Sequence, residues 1–247
     1  MIYKTKVVNN CLDVIVLCCN SLFVTKKFLI DIYKNTENFS LFLIDNGSTD
    51  KTPEYLKKFA DDKDNITLFL SDKNLGVISG RNLGYKLSCG YQEPSDYVLI
   101  IDNDQFVQKG WLESHMAVIN EGYDAVGVEG WKLNKQFFPI KKNENPLEPY
   151  DYIGCGGSLI KRNVIEDIGL FDERFNPCYF EDPDFCFKMY DKGYRFTWNH
   201  KSKVLHLPHQ TLGILPDKRE KFLSSYKKFQ EKWNGHCLPN LVRQRFS

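Results

Sequence analysis

The sequence predicts an α/β fold with a central, mostly parallel β-sheet and helices on its faces. Short apolar runs end at turn residues, amphipathic stretches separate these runs, and the two alternate through the first half of the chain. This alternation favours right-handed βαβ crossovers and therefore a parallel sheet. The predicted strands are Leu12–Cys18, Leu41–Ile44, Ile66–Leu70 and Tyr97–Ile101.

The helices between these strands are predicted from their spacing and their first residues. Leu22–Tyr33 carries apolar side chains at helical intervals. Thr52-Pro53-Glu54 opens the second helix with proline at or near its first position. The third helix is Val77–Ser88.

The second half of the chain is less regular. We expect helices at Gly110–Asn120, Glu181–Lys192 and Asp217–Trp233, strands at Ala125–Glu129, Gly154–Lys161 and Lys203–Leu207, and a loop over Lys141–Pro149. No internal repeat and no linker stands out, so we predict one domain over residues 1–247.

Composition excludes several classes of protein. Hydrophobic residues make up 42% of the chain, enough for a packed core rather than a disordered protein. Lys+Arg of 33 against Asp+Glu of 32 gives no support for a nucleic-acid partner. The chain shows no signal peptide and no run of about 18 apolar residues. Its eight cysteines form no Cys-x-x-Cys pair, so we expect reduced thiols and a cytoplasmic location.

Polar and acidic residues follow the predicted parallel strands. They are Asn20, Asp45, Asp72, Asp102 and Asp104. Because ligands of open parallel sheets bind beyond the carboxyl ends of the strands, these side chains mark a candidate site. One such aspartate alone is more often a turn or helix cap. As a group, the carboxylates repel one another unless a cation with oxygen ligands lies among them.

Asp102-Asn103-Asp104 is the sharpest local signal, because it follows the strand Tyr97–Ile101 directly. Two carboxylates two residues apart point the same way in extended backbone. One of them can hold a metal ion while the other holds a ribose or a metal-bound water.

Further motifs follow in a fixed order along the chain. They are Asp45-Asn46-Gly47-Ser48-Thr49-Asp50, Asn74-Leu75-Gly76, Arg81-Asn82, Gly156-Gly157-Ser158-Leu159-Ile160, Ile168-Gly169-Leu170-Phe171-Asp172-Glu173, Tyr179-Phe180-Glu181-Asp182-Pro183-Asp184, Val204-Leu205-His206 and Lys232-Trp233. With Asp102-Asn103-Asp104, this set resembles family 2 glycosyltransferases from about Asp13 to Trp233.

The resemblance implies an α/β GT-A fold: a single Rossmann-like domain with a central mostly parallel sheet flanked by helices and a C-terminal acceptor-side portion. A nucleotide-sugar-binding half would cover about residues 11–105 and an acceptor and catalytic half about residues 106–215. A basic C-terminal helix and tail would cover about residues 216–247. One departure is Cys18-Cys19-Asn20, because members of the family often have Thr-Tyr-Asn there and Cys19 cannot stack on a base.

The resemblance also implies roles for single residues. Asp45 would accept the imide proton of a pyrimidine base, Asp72 and Arg81 would line the base and diphosphate region, and Asp102 would contact ribose or the metal's water shell. The full set implied to bind the nucleotide-sugar is Asn20, Asp45, Asp72, Arg81, Asp102 and Asn103.

The implied cofactor is Mn²⁺ or Mg²⁺, held by Asp104 directly and by His206. His209 is the alternative ligand. Asp182 would be the catalytic base, with Glu181 beside it orienting the acceptor, whereas Asp184 fits the electrostatics of a helix start better.

Gly156, Gly157 and Trp131 are candidates for the acceptor side of the site. The glycines would let the backbone approach a sugar, or would mark a bulged strand. Trp131 would form an aromatic wall for a sugar ring, although core packing explains most aromatic residues.

The implied function is an inverting transfer of a sugar from a UDP- or dTDP-linked donor to a glycan, lipid-linked or protein acceptor. The alternatives are a metal-dependent nucleotidyltransferase and a non-catalytic nucleotide-sugar- or carbohydrate-binding protein. The C-terminal stretch Asp217–Trp233 mixes lysines with aromatic residues. It predicts a helix docked on the domain, with peripheral membrane contact through a basic amphipathic helix as the alternative.

Overall fold

The computed structural model describes residues 1–4, 11–90, 94–145, 148–207 and 217–235. The helices are α1 (Leu22–Asn35), α2 (Thr52–Asp61), α3 (Val77–Ser88), α4 (Trp111–Asn120), α5 (Arg162–Ile168), α6 (Glu181–Lys192) and α7 (Lys218–Trp233). The strands are β1 (Ile2–Lys4), β2 (Leu12–Cys18), β3 (Phe39–Asp45), β4 (Ile66–Leu70), β5 (Tyr97–Asp102), β6 (Gln105–Val107), β7 (Ala125–Gly127), β8 (Gly130–Leu133), β9 (Pro139–Lys142), β10 (Tyr152–Ile153), β11 (Ser158–Lys161), β12 (Phe196–Trp198) and β13 (Val204–His206).

The main sheet has eight strands in the order β1-β4-β3-β2-β5-β11-β7-β12. Strands β4, β3, β2 and β5 run parallel, as predicted. Strand β11 pairs antiparallel with both β5 and β7, and β1 pairs antiparallel with β4. The register aligns Cys18 with Asp45 and Leu17 with Asp102, so the two aspartates leave the sheet at the same edge.

The sheet separates two hydrophobic cores. Ile15 and Ile100 point into one core, whereas Val14 and Leu99 point into the other. A strand that is buried on both faces needs apolar side chains at almost every position, which explains the continuous apolar run Leu12–Cys18.

Helix α3 packs unusually close to the sheet because it has glycines on its inner face. A side chain at Gly80 would place its Cβ 2.5 Å from Leu17 Cδ1, and one at Gly84 would place it 2.5 Å from Ile15 Cγ2. This close approach fixes the height of α3 over β2 and therefore the position of Arg81, the residue that follows Gly80.

The second half departs from the sequence-based expectations. The predicted strand Gly154–Lys161 forms only over Ser158–Lys161, because the glycine-rich part is a loop. The predicted loop Lys141–Pro149 begins in strand β9, which joins β8 and β10 in a separate three-stranded sheet. The predicted final strand, β13, pairs with β6 in a two-stranded ribbon outside the main sheet.

Helix α7 docks on the domain through its apolar face. Phe229 and Trp233 are buried, and the indole Nε1 of Trp233 donates to Asp184 Oδ1 at 2.8 Å. Lys232 Nζ donates to Asp172 and to Asp184. Asp184 is therefore the polar anchor of α7, in agreement with a structural rather than a catalytic role. Among the described residues, no helix is long and apolar enough to cross a membrane. Membrane contact and the cytoplasmic location stay predictions.

We expect Trp233→Ala to lower the stability of the fold, because it removes a buried indole and leaves Asp184 with one partner fewer. Burying a large aromatic side chain contributes about 3–5 kcal/mol, which corresponds to a melting-temperature loss of roughly 10 °C for a chain of this size. Thermal unfolding followed by circular dichroism measures the loss. Phe23→Ala is the control, since Phe23 is 81% exposed. Equal melting temperatures for both variants would contradict the docking of α7.

Candidate functional site

A cavity of about 760 Å³ lies beyond the carboxyl ends of the parallel strands. One wall comes from the turn after β5 and from the β6–β13 ribbon, and the other comes from the start of α6. Of the residues predicted as functional, nine line the cavity. They are Arg81, Asp102, Asn103, Asp104, Glu181, Asp182, His206 and, on the side predicted for the acceptor, Trp131 and Gly156.

The turn after β5 brings the two carboxylates of the Asp-Asn-Asp motif to a histidine. The β6–β13 pairing places His206 opposite Gln105, one residue from Asp104. His206 Nε2 lies 3.5 Å from Asp104 Oδ1, and His206 Nδ1 lies 3.6 Å from Glu129 Oε1. One ligand atom from each of Asp102, Asp104 and His206 fits within a mutual separation of 4.8 Å.

These residues suit a divalent cation. Within the described part of the chain, the buried Asp104 Oδ1 makes no hydrogen bond of normal length, and His206 Nε2 lies 3.5 Å from it, which leaves room for a further ligand. Carboxylate oxygens and imidazole nitrogen are ligands of Mn²⁺, and carboxylates are ligands of Mg²⁺. Although burial lowers the pKa of His206, the carboxylates of Asp104 and Glu129 raise it to about 10. A bound cation would have to displace that proton.

Arg81 lies between the two walls of the cavity. Its Nη2 donates to Asp102 Oδ1 at 2.5 Å, and its Nη1 lies 3.8 Å from Glu181 Oε1. The guanidinium carbon is 5.8 Å from the centre of the Phe171 ring, and the Arg81 side chain is only 7% exposed. The charge of Arg81 is therefore directed at carboxylates of both walls.

The opposite wall carries two neighbouring carboxylates at the first turn of α6. Glu181 is buried and Asp182 is half-buried, and the backbone turns into the helix at Phe180 with φ of 68°. Burial and then the charge of Asp182 raise the pKa of Glu181 to about 8, against the opposing effect of Arg81. Burial also raises the pKa of Asp182, while Arg81 and the Cys155 thiol lower it.

Three of the predicted nucleotide-binding residues do not line the cavity. Asp45 is 1% exposed, and its Oδ2 accepts from Ser48 N. Asn20 Oδ1 accepts from the backbone N–H groups of Thr49 and Asp50, so it holds the loop after β3. Asp72 is exposed on the loop after β4. Their predicted contacts with a nucleotide stay predictions.

Asn103 lines the cavity, but its side-chain amide donates to Thr25 Oγ1 at 2.9 Å. This bond ties the turn after β5 to helix α1. Three further residues on this side, Cys19, Asn46 and Asn74, were not predicted to bind the nucleotide; they are joined by side-chain hydrogen bonds. The motif that begins Asp45-Asn46 pointed to this region, but the base contact was predicted for Asp45 and not for Asn46.

The acceptor side is lined by aromatic rings. Trp131 stacks on Tyr152 with ring centres 6.3 Å apart, and Phe222 of α7 reaches the cavity. Gly156 is required there, because a Cβ at this position would lie 2.6 Å from Asp102 Oδ2. Gly157 lies behind the cavity with φ of 78°, where its missing side chain leaves room for Val128. The sequence did not point to Phe222, because α7 is distant in the chain.

In open α/β sheets ligands bind beyond the carboxyl ends of the strands, so a cavity at this edge is a candidate ligand site. Residues 13–202 match the family model of glycosyl transferase family 2, and the chain belongs to that family. The predicted family is confirmed, and the relatives and structural neighbours belong to the predicted enzyme class, glycosyltransferase.

The chain is similar to the minor teichoic acid biosynthesis protein GgaA of Bacillus subtilis, with 28% identity over 162 residues. The match covers 60% of this chain and 35% of GgaA. The chain spans less than half of the length of GgaA and of two curated glycosyltransferases that it also matches.

Two solved structures share the fold. GalNAc-T7 with UDP, GalNAc and Mn²⁺ has a TM-score of 0.70 at 15% identity, covering 92% of this chain and 48% of its own. The mannosyltransferase PcManGT from Pyrobaculum calidifontis, in complex with GDP-Man and Mn²⁺, has a TM-score of 0.68 at 16% identity, covering 94% of this chain and 67% of its own. The predicted GT-A fold is confirmed.

We expect His206→Ala to weaken Mn²⁺ binding by roughly tenfold or more, because it removes a nitrogen ligand that faces Asp104. Titration of Mn²⁺ followed by electron paramagnetic resonance measures the dissociation constant. His209, the alternative ligand, lies outside the described residues, so His209→Ala is the matched comparison. Weaker binding in His209→Ala and unchanged binding in His206→Ala would reverse the assignment.

Proposed function

We propose that this chain transfers a sugar from a nucleotide diphosphate donor to an acceptor hydroxyl, with inversion at the sugar carbon and with help from Mn²⁺ or Mg²⁺. The observation that carries the proposal is the arrangement of one cavity: the Asp104–His206 pair lies on one wall, and the Glu181–Asp182 pair lies on the other. Family membership supports transfer of a sugar over transfer of a nucleotide.

In this reaction the donor diphosphate lies against the Asp102–Asp104 turn, and the acceptor hydroxyl lies beside Asp182. When bound, the cation supplies Lewis-acid stabilisation of the negative charge that develops on the diphosphate. Asp182 accepts the proton of the acceptor hydroxyl as its oxygen forms a bond to the sugar carbon. The bond from that carbon to the diphosphate breaks, and its electron pair leaves on the diphosphate oxygen. Attack from the face opposite to the leaving group inverts the sugar carbon.

The chain's own residues support each half of this step. Arg81 keeps Asp102 in place on the donor side through their hydrogen bond. Trp131, Tyr152 and Phe222 offer apolar ring surface on the acceptor side, which suits the faces of a sugar ring. This surface supports a glycan acceptor among the predicted classes, which also include lipid-linked and protein acceptors.

The donor base is proposed as a pyrimidine, in UDP or dTDP, as the family resemblance implies, although Asp45 itself does not line the cavity. GalNAc-T7 was solved with UDP and PcManGT with GDP-Man, so this fold accommodates either kind of base. The side chains that line this end of the cavity are Cys19, Asn46 and Asn74. They support a base held by hydrogen bonds rather than by stacking on an aromatic ring.

We expect Asp182→Asn to reduce turnover by about 10²–10⁴-fold, because an amide cannot accept the acceptor proton. Release of UDP or dTDP from a panel of their sugars, with Mn²⁺ and with glycan acceptors or water, measures turnover. Asp191→Asn is the control, since Asp191 is an exposed carboxylate on the same helix.

Binding of UDP with Mn²⁺, measured by thermal shift, should persist in Asp182→Asn because the donor contacts lie on the other wall. Turnover of Asp182→Asn at the wild-type rate would exclude Asp182 as the base. No turnover of any donor by the wild-type chain would count against the proposed function itself.

A further inference from the structure

The two carboxylates at the start of α6 belong to a segment, residues 178–184, that we call the carboxylate turn. Tyr179 and Phe180 lie directly before the carboxylates, and their φ values are 74° and 68°. Bulky side chains disfavour this left-handed region, so a residue keeps such a conformation only where its surroundings hold it. Two such residues in succession therefore require contacts from outside the carboxylate turn.

Helix α7 provides these contacts for the first part of the carboxylate turn. Ser225 Oγ donates a hydrogen bond to the backbone oxygen of Cys178 at 2.9 Å, and Ser225 is only 2% exposed. The left-handed Phe180 is also buried. Its ring packs, with centres 5.3–5.5 Å apart, against three rings of α7, those of Phe222, Tyr226 and Phe229. A single helix thus fixes both the backbone before the left-handed residues and the side chain of the second one.

Helix α7 also holds the far end of the carboxylate turn. The indole Nε1 of Trp233 and the ammonium group of Lys232 both donate to the buried carboxylate of Asp184. The backbone N–H of Asp184 in turn donates to Phe180 O at 3.1 Å and closes the first turn of α6. The two carboxylates that line the cavity therefore lie between two anchors, and both anchors come from α7.

Other contacts of α7 do not involve the carboxylate turn. Tyr226 Oη donates to Gln136 O at 2.7 Å, and Lys228 Nζ donates to Arg174 O at 2.8 Å. The match to the family model ends at residue 202, before α7 begins at Lys218. The helix that holds the carboxylate turn is thus outside the part of the chain that matches the family model.

We propose that α7 is a positioning element for the carboxylate turn, with Ser225 as the positioning residue at one end and Trp233 at the other. That Asp182 is the base which they aim into the cavity rests on the proposed function, whereas the holding of the turn does not. A displacement of about 1 Å in a reacting group can reduce a rate by roughly 10²-fold. A relaxed turn should therefore lower turnover and leave donor binding on the opposite wall unchanged.

The first test measures hydrogen exchange and needs no substrate. Ser225→Ala removes the hydroxyl group and leaves the aromatic contacts of α7 in place. The backbone amides of residues 178–184 should then exchange with deuterium roughly fivefold faster than in wild type, because one hydrogen bond no longer opposes local opening. Mass spectrometry of peptic fragments measures the rates. Residues 98–104, on the opposite wall, should keep their wild-type rates.

Two variants serve as matched controls. Ser88→Ala removes the hydroxyl group of another buried helical serine, which donates to Tyr85 O at 2.8 Å. Tyr226→Phe removes the bond from α7 to Gln136 and keeps the ring that packs on Phe180. Neither variant should accelerate exchange in residues 178–184. Unchanged exchange in Ser225→Ala, or an equal acceleration in either control, would overturn the role of Ser225.

Trp233→Phe tests the other end of the carboxylate turn. It keeps an aromatic ring but removes the donor to Asp184 Oδ1. Exchange in residues 178–184 should again be faster than in wild type. A wild-type rate in this variant would overturn the role of Trp233.

The second test separates positioning from stability alone. In Ser225→Ala, kcat for release of UDP or dTDP from the sugar donor should fall by roughly tenfold. The dissociation constant for UDP with Mn²⁺ and the KM for the donor should keep their wild-type values. Ser88→Ala and Tyr226→Phe should keep the wild-type kcat. A wild-type kcat in Ser225→Ala, or the same loss in the controls, would overturn the positioning role. If the wild-type chain releases no nucleotide, the proposed function fails, while hydrogen exchange still tests whether α7 holds the turn.

Discussion

The concentration of negative charge at the carboxyl edge of the sheet is the constraint on which the rest of the structure depends. Parallel pairing of β2 with β3 and β5 brings Asp45 and Asp102 to one edge. The first turn of α6 adds Glu181 and Asp182 across the cavity. Carboxylates so close together need positively charged partners: Arg81 contacts Asp102 and Glu181, and His206 lies beside Asp104.

Different parts of the fold place Arg81 beside Asp102 and His206 beside Asp104. Glycines at 80 and 84 let α3 approach the sheet, and this carries Arg81 to Asp102. The β6–β13 ribbon carries His206 to Asp104 although the two are distant in the chain. Asp184, in the first turn of α6, accepts hydrogen bonds from Lys232 and Trp233 and so holds α7 against the domain. The first turn of α6 thus holds both the carboxylates that line the cavity, Glu181 and Asp182, and the one that anchors α7, Asp184.

The sequence predicted the first half of the fold closely, because strands buried on both faces show as continuous apolar runs. Asp102 and Asp104 were predicted at this edge because they follow a strand of the parallel sheet, whereas Glu181, Asp182 and His206 were expected in the site from the family resemblance; all five line the cavity. It could not predict that β11 would be antiparallel, or that β13 would leave the main sheet, because both depend on pairing between residues far apart in the chain. Asn20 and Asp45 show the same limit: their polar side chains could serve a ligand or a loop, and only the structure shows the loop contacts.

We propose that Asp104 and His206 would hold the divalent cation that stabilises the charge of the donor diphosphate. Crystals grown with UDP and Mn²⁺, measured at the manganese absorption edge, test it most directly. We expect one anomalous peak within coordination distance of Asp104 and His206, with the UDP diphosphate beside it. A peak at Glu181 and Asp182, or bound UDP without a peak at Asp104, would contradict it.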